Sequence, residues 1–389
     1  MRITNTISSL EGGGAERVLA LLSNLWVERG MQVSVVVRSM YEPDLGKSAL
    51  DPAIPVTTVI GSKVGKKWPL RTKSLGALLA LRSAIVQSSP DVVIAFMDTV
   101  AVDTLLATIG TGIPVIVAER CDPNSRPIGA VTVPDERTGA VLELRQHVRE
   151  KLRQWLYPRA AAVVCQTDTA MSFFSARIRH KGRIIPNPVL SPGVVPSQAE
   201  TARDIRRIVY LGRLSAVKGL DRLLKAYAKL ATHHDGWRLE LWGEGPEDGA
   251  LKQLATELDI TDRILFGGWT DSPSAVLQGA KLFVMSSYTE GFPNSLCEAM
   301  ACGVPPVSFD CPSGPRHIIR HDIDGLLVRN GDIDALALAM DHLMRNEDDR
   351  ARLASRAPEV LERFGSKMVL AMWEELFQQV TMGKSRSTR

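Results

Sequence analysis

Short runs of branched and aromatic apolar residues alternate with helical periodicity along nearly the whole chain, and the alternation stops once and then starts again. In the first half, 2–7, 32–38, 56–60, 91–96, 114–118, 162–166 and 183–185 predict strands, and 15–29, 74–88, 100–110, 141–156 and 168–178 predict helices. Segments such as Val92-Val-Ile-Ala-Phe96 are apolar at every position, as in a parallel strand covered on both faces. Residues 189–204, rich in Pro, Ser, Ala and Gln and without periodicity, read as a linker. Strands are then expected at 207–211, 238–242, 263–266, 281–286, 305–309 and 325–328, with helices at 219–232, 247–258, 273–279, 294–302 and 332–345. This order predicts an α/β fold with two doubly wound, Rossmann-like domains, 1–190 and 205–365, facing each other across a cleft. The last helical stretch, 366–380, is expected to cross back to the first domain, and the polar tail from Gly383 to be loose.

With 389 residues, the chain exceeds one ordinary domain. No run reaches the eighteen uncharged apolar residues of a membrane span, and the start lacks the basic and apolar regions of a signal peptide. A cytoplasmic protein is the expectation. Cysteines 121, 165, 297, 302 and 311 form no C-x-x-C pair, which points to reduced thiols and away from a zinc site. The net charge of +4 hides an asymmetry: residues 1–190 hold 23 Lys+Arg against 16 Asp+Glu, and the remainder is slightly acidic. An anionic partner for the first half follows from that surplus.

The segment Glu290-Gly-Phe-Pro-Asn-Ser-Leu-Cys-Glu298 is the richest in chemistry. Glu290 is expected at the carboxyl end of a strand, where open α/β sheets hold ligands. Glu298 lies eight residues on, close to a whole number of helical turns, which places the two acids on nearly one helix face. Carboxylates beside a helix amino terminus suit a ligand with both hydroxyls and a phosphate. Two surface glutamates would give the same spacing.

Near the amino terminus, Gly12-Gly-Gly-Ala-Glu16 joins the first strand to the first helix, where glycines let backbone N–H groups approach a phosphate. The spacing is not G-x-G-x-x-G, and the second strand ends at Val37-Arg38-Ser39 without a ribose-binding acid, which disfavours a dinucleotide. In the second half, Tyr210-Leu-Gly-Arg-Leu-Ser-Ala-Val-Lys-Gly219 brings Arg213 and Lys218 to a strand end after Gly212. A diphosphate is their natural target, since arginine grips two oxygens and lysine acts as a point charge. Trp242-Gly-Glu-Gly-Pro246 and Phe266-Gly-Gly-Trp269 offer glycines to a planar base, or are ordinary turns.

Together these segments, with Glu298-Ala-Met-Ala-Cys-Gly303, Phe309-Asp-Cys-Pro-Ser-Gly314 and Asp324-Gly-Leu-Leu-Val328, resemble the family 4 retaining glycosyltransferases of the GT-B fold. The branch most resembled builds bacterial polysaccharides and lipid-linked oligosaccharides. The resemblance implies that Arg213 and Lys218 hold the donor diphosphate and stabilise the leaving nucleotide. It implies further that Glu290 meets a donor-sugar hydroxyl and Glu298 the ribose. Backbone groups of Gly13, Gly14 and the turn Gly291, Phe292, Asn294 and Ser295 would complete the donor site. No cofactor or metal is expected beyond the nucleotide sugar, a UDP-sugar by this resemblance. Many relatives carry a histidine where this chain has Glu119-Arg120, so Arg120 is a candidate for a catalytic or phosphate-binding part, or belongs to a structural ion pair.

Asp322-Ile-Asp324 and Asp332-Ile-Asp334 match the D-x-D of metal-dependent sugar transferases but have no further ligands near them in sequence. Two basic concentrations, Lys63, Lys66, Lys67, Trp68, Arg71 and Lys73, and the stretch from Arg145 to Arg159 with Trp155 and Tyr157, suit an anionic inner membrane surface, or are solvated faces. No nucleic-acid-binding module is present, so nucleic acid is not an expected partner. The expected function is hexose or N-acetylhexosamine transfer to a polyprenyl-diphosphate-linked glycan. A nucleotide-sugar epimerase and a non-catalytic nucleotide-sugar-binding regulator are the alternatives.

Overall fold

The computed structural model describes residues 1–10, 13–38, 49–59, 70–121, 148, 150–193 and 206–387. They form two compact units, the first from Met1 to Pro188 together with the chain from Lys367, the second from Val189 to Ser366.

The first unit is built on a seven-stranded sheet in the order β3-β2-β1-β4-β5-β6-β7. The strands are β1 Arg2–Ile7, β2 Gln32–Val37, β3 Val56–Thr58, β4 Val92–Phe96, β5 Val115–Ala118, β6 Ala162–Cys165 and β7 Gly182–Ile184, all paired in parallel. Side chains alternate between two covered faces, which is why the strands read as continuous apolar runs. Val92, Ile94, Phe96, Ile116 and Ala118 enter one core with helix α1 (Gly14–Glu28) and the terminal helix Ser366–Ser387. Val93, Ala95, Val115 and Val117 enter the other with α2 (Leu70–Gln87) and α3 (Asp98–Ala107). On the first face Trp26 meets Trp373 edge-on at 5.6 Å and Phe377 at 5.4 Å, fastening the terminal helix to α1.

The second unit repeats the plan with six strands in the order β10-β9-β8-β11-β12-β13. These are β8 Arg206–Leu211, β9 Trp237–Trp242, β10 Ile264–Gly268, β11 Leu282–Met285, β12 Pro306–Asp310 and β13 Leu326–Arg329. Ile208, Tyr210, Leu282 and Val284 face the helices Leu220–Ala231 and Ile333–Arg345, while Val209, Leu211, Phe283 and Met285 face the helix Asn294–Ala301. Val189, at the start of the expected linker, is buried, and its N–H donates to Phe364 O at 2.9 Å.

Several expectations are corrected. The helix expected over 168–178 is two short ones, Asp168–Ser172 and Ala176–Arg179. Phe174 turns into the core between them and Ser175 caps the second. The last helix runs on to Ser387, so the backbone from Gly383 is helical, where a loose tail is expected. Glu347–Arg356, unmarked by apolar periodicity, is helical as well, with Glu347, Asp348 and Asp349 in its first turn, where acids favour a helix start.

Candidate active site

In the second unit the β8 and β11 strand ends carry the predicted cations and acid. β8 leaves the sheet at Gly212, passes Arg213, and makes a turn of 3-10 helix, Ala216–Lys218, before the helix Leu220–Ala231 begins. That turn is stitched to the end of β11: Tyr288 N donates to Val217 O at 2.9 Å and Ser286 Oγ to Lys218 O at 3.1 Å. Gly219 sits at φ +59°, and a Cβ there would come within 2.3 Å of Ser286 O, so only glycine permits this approach.

The stitching brings Lys218 Nζ to 2.7 Å from Glu290 Oε1. Ser287 Oγ donates to the same oxygen at 2.6 Å. Glu290 is buried at 8% exposure, while Lys218 reaches solvent. Tyr210, below them, is raised well above the usual phenol range, by burial first and then by the Glu290 charge. Its hydroxyl donates to Arg213 O at 3.1 Å and so props the cationic loop. Arg213 itself is exposed and has no ion pair among the described residues. The buried Cys311 thiol is pushed up to about 12, chiefly by burial and then by Glu290, and is inert as a nucleophile.

Glu290 and Glu298 do not share a helix face. The helix starts at Asn294, capped by Pro293, so Glu290 stands in the turn before it and Glu298 is half-buried in its second turn. The Gly-Phe-Pro turn causes this, because proline cannot continue a helix backwards past its own position. Gly314, at φ +88°, closes on the turn, where a Cβ would lie 3.0 Å from Glu290 Cβ. Phe292 is buried and packs edge-on against Phe364 at 5.3 Å, so its side chain belongs to the core. Asn294 and Ser295 open the helix, whose first-turn N–H groups lack intrahelical acceptors. Gly291 O accepts from Ser313 Oγ at 3.4 Å.

The glycines of the neighbouring loop after β9 serve the backbone. Gly243 and Gly245 would each place a Cβ 2.0 Å from a carbonyl oxygen, of Gly212 and Leu214 respectively. Ser287 and Tyr210 were not legible as site residues, and the one available signal was a serine at a strand end three residues before the acid.

In the first unit, Gly13 caps α1 and its N–H donates to the Glu16 carboxylate, leaving Gly14 as the first helical residue. Gly12 lies outside the described residues, as do Lys63, Lys66, Lys67 and Trp68. Arg71 and Lys73 fall in the first turn of α2. Trp155 is exposed with the Arg159 guanidinium 4.1 Å from its ring centroid. Tyr157 and Arg153, by contrast, are buried: Tyr157 donates to Glu119, and Arg153 lies beside Glu150 and 3.5 Å from Asp98. Arg120 is buried too and donates to Asn187 Oδ1 at 2.9 Å.

Two family models divide the chain between them. A glycosyl transferase 4-like domain matches residues 13–189, and glycosyl transferases group 1 matches 197–360, the part holding Arg213, Lys218, Glu290 and Glu298. The chain belongs to the group 1, family 4-like glycosyltransferases of the GT-B fold. Relatives of this glycosyltransferase include an exopolysaccharide phosphotransferase of Streptomyces coelicolor, 27% identical over 95% of this chain. The chain spans 39% of that protein's length, and 51% of that of a Haemophilus influenzae glycosyltransferase. An undecaprenol-linked-glycan α-1,4-N-acetylgalactosaminyltransferase of Campylobacter jejuni is 23% identical over 98% of this chain and 99% of its own. The solved Anabaena HepE structure in complex with UDP-glucose superposes with a TM-score of 0.75 at 21% identity, covering 98% of this chain and 100% of that one.

The aspartates of both D-x-D segments have partners within the fold. Asp324 is fully buried between Arg320 at 2.7 Å and Arg363 at 3.1 Å, and Asp322 pairs with Arg352 at 2.9 Å. Asp332 caps the helix Ile333–Arg345 through Ala335 N at 2.9 Å, and Asp334 pairs with Lys229. Among the described residues no three His, Cys, Asp or Glu side chains gather to hold a metal. No described helix is long and apolar enough to cross a membrane.

Proposed function

We propose that this glycosyltransferase moves a hexose or N-acetylhexosamine from a UDP-sugar to a lipid-linked glycan, with retention of anomeric configuration and without a metal. The observation that carries the reading is the Lys218–Glu290 pair, held with Ser287 at the β8 and β11 strand ends beside the exposed Arg213. One relative named for N-acetylgalactosaminyl transfer to an undecaprenol-linked glycan and another solved with UDP-glucose support the choice of substrates.

In the proposed site Arg213 and Lys218 take the donor diphosphate, and the helix start at Asn294 and Ser295 adds backbone N–H groups. Positive charge placed there stabilises the leaving nucleotide more than the ground state. Glu290, fixed by Ser287, accepts from a sugar hydroxyl, and Glu298 serves the ribose. Lys218 needs to turn only its ammonium from carboxylate to phosphate, which then releases Glu290 Oε1 to the sugar. Gly14 offers an N–H at the start of α1, whereas that of Gly13 is already taken by Glu16.

Replacing Arg213 or Lys218 by Ala is expected to weaken UDP-sugar binding by at least tenfold in calorimetry. EDTA should leave wild-type turnover unchanged, and activity abolished by EDTA and restored by manganese would overturn the metal-free reading.

For the acceptor side, the first unit is proposed to lie on an anionic membrane surface. Val148, Leu152 and Trp155 are exposed at helical spacing, and Leu75 and Leu79 are exposed on α2 beyond Arg71 and Lys73. Liposome binding should rise with anionic lipid and fall with salt, each surface cation contributing about 1 kcal/mol. Trp155→Glu with Leu152→Glu should release the protein from such vesicles. Unchanged sedimentation would make these helices a solvated face.

A further inference from the structure

Arg120 follows β5 in the first unit, at the carboxyl edge of the sheet and two residues beyond Ala118, on the face covered by the terminal helix. Only 7% of it is exposed. Its guanidinium carbon lies 5.3 Å from the Phe96 ring centroid and 5.6 Å from that of Trp373. Nη1 is fixed by Asn187 Oδ1, which also accepts from Gln166 Nε2 at 2.6 Å. Nε and Nη2, also buried, have no hydrogen-bond partner among the described residues.

No carboxylate pairs with Arg120 among the described residues. Glu119, the neighbouring acid, points to the opposite sheet face, as alternation requires, and accepts from Tyr157 there. Glu119 therefore does not supply a counter-charge to Arg120. Burial lowers the guanidinium to about 10, with only the Cys165 thiol acting against it. A buried cation without a counter-charge costs stability that two aromatic faces return only in part. The arrangement is unfavourable on its own and becomes favourable when an anion arrives.

The two unsatisfied nitrogens form one edge of the guanidinium, with N–H groups nearly parallel and spaced for two oxygens of one group. The surroundings agree with a ligand site. β1 has β2 on one side and β4 on the other, so the strand order of this parallel sheet reverses between β1 and β4, one strand from β5, and open sheets bind ligands beyond the carboxyl ends at such a point. At the end of β4, Met97 holds φ +72° and ψ 146°, a conformation that only glycine adopts without strain and that is found at functional sites.

We propose that the Nε/Nη2 edge of Arg120 anchors an anion subsite in the first unit, taking a two-oxygen group, the phosphate or carboxylate of a bound substrate. The subsite uses residues of the first unit, the proposed diphosphate grip residues of the second, and its test needs no nucleotide sugar.

The experiment uses the full chain carrying Arg213→Ala and Lys218→Ala, so that phosphate binding at the second unit is suppressed. Melting is followed against inorganic phosphate or malonate at constant ionic strength held with chloride. A rise in melting temperature is expected with at least one probe, and the effective probe reports whether the subsite takes phosphate or carboxylate. Adding Arg120→Met should abolish the rise while the probe-free protein melts no lower than its parent, because the uncompensated cation is gone. Arg120→Lys keeps charge but loses the fork, and should need at least tenfold more probe. No rise with either probe, an equal rise in the Met and Lys variants, or a probe-free Met variant that melts far below its parent would overturn the subsite in favour of a structural arginine.

Discussion

Glu290→Gln is expected to lower turnover with a UDP-sugar and acceptor at least tenfold, a loss of about 1.4 kcal/mol or more in transition-state stabilisation. The amide preserves the shape of the side chain and its hydrogen bond from Ser287 but removes the charge at Oε1. A hydroxyl on a sugar that is gaining positive character needs that charge most in the transition state, so kcat should fall more than donor affinity. Folding should change little, because Lys218, the other partner of that oxygen, reaches solvent. A second consequence separates charge from packing: freed of Glu290, Lys218 is available to diphosphate from the outset, so UDP alone should bind the variant as well as or better than wild type. Wild-type turnover in Glu290→Gln would remove this acid from the site.

The largest expected effect on stability is at Trp373. Its side chain is fully buried and stands against Trp26 at 5.6 Å and Phe377 at 5.7 Å. Trp373→Ala should cost about 3–5 kcal/mol, the usual range for removing a large aromatic from a core that cannot collapse around the hole. Urea unfolding followed by fluorescence should show the loss as a lower midpoint for the first unit, with the terminal helix becoming susceptible to protease. The variant also removes one of the two rings over Arg120, so the anion response described above should weaken with it. A midpoint shift of less than about 1 kcal/mol would show that the terminal helix does not carry the core of the first unit.

The parallel sheets were legible because both faces of each strand are covered. Val92 to Phe96 alternate between two cores, and neither face has reason to be polar. The Glu290 segment was legible for a different reason: the Gly-Phe-Pro turn between an apolar run and an alanine-rich helix is local chemistry. What local chemistry does not reveal is where a charged side chain goes. Arg120 is a phosphate-binding candidate or an ion-pair member by sequence, Asp324 part of a D-x-D match and Arg153 part of a basic surface stretch, yet all three are buried, and Arg153 and Asp324 are held by partners distant in sequence, Asp98 and Arg363. Tyr157 differs from its sequence expectation for the same reason, because a tyrosine beside Trp155 in a basic stretch looks interfacial until the sheet and Glu119 take it inside. Ser287 carries no sequence signal beyond its place at a strand end, because its role is a single hydrogen bond to an acid whose position depends on the turn that follows.

The central claim, a UDP-sugar donor site on the second unit that works in transfer, is tested most directly by product analysis. Purified protein would be incubated with EDTA, a panel of nucleotide sugars and a polyprenyl-diphosphate-linked glycan, with nucleotide release followed by chromatography and the new linkage by NMR. The expected result is acceptor-dependent release of UDP from one donor, an axial or equatorial linkage matching that of the donor, and release at least tenfold slower in Glu290→Gln. A changed nucleotide sugar appearing without acceptor, an inverted linkage, or no turnover of any donor that binds would contradict it.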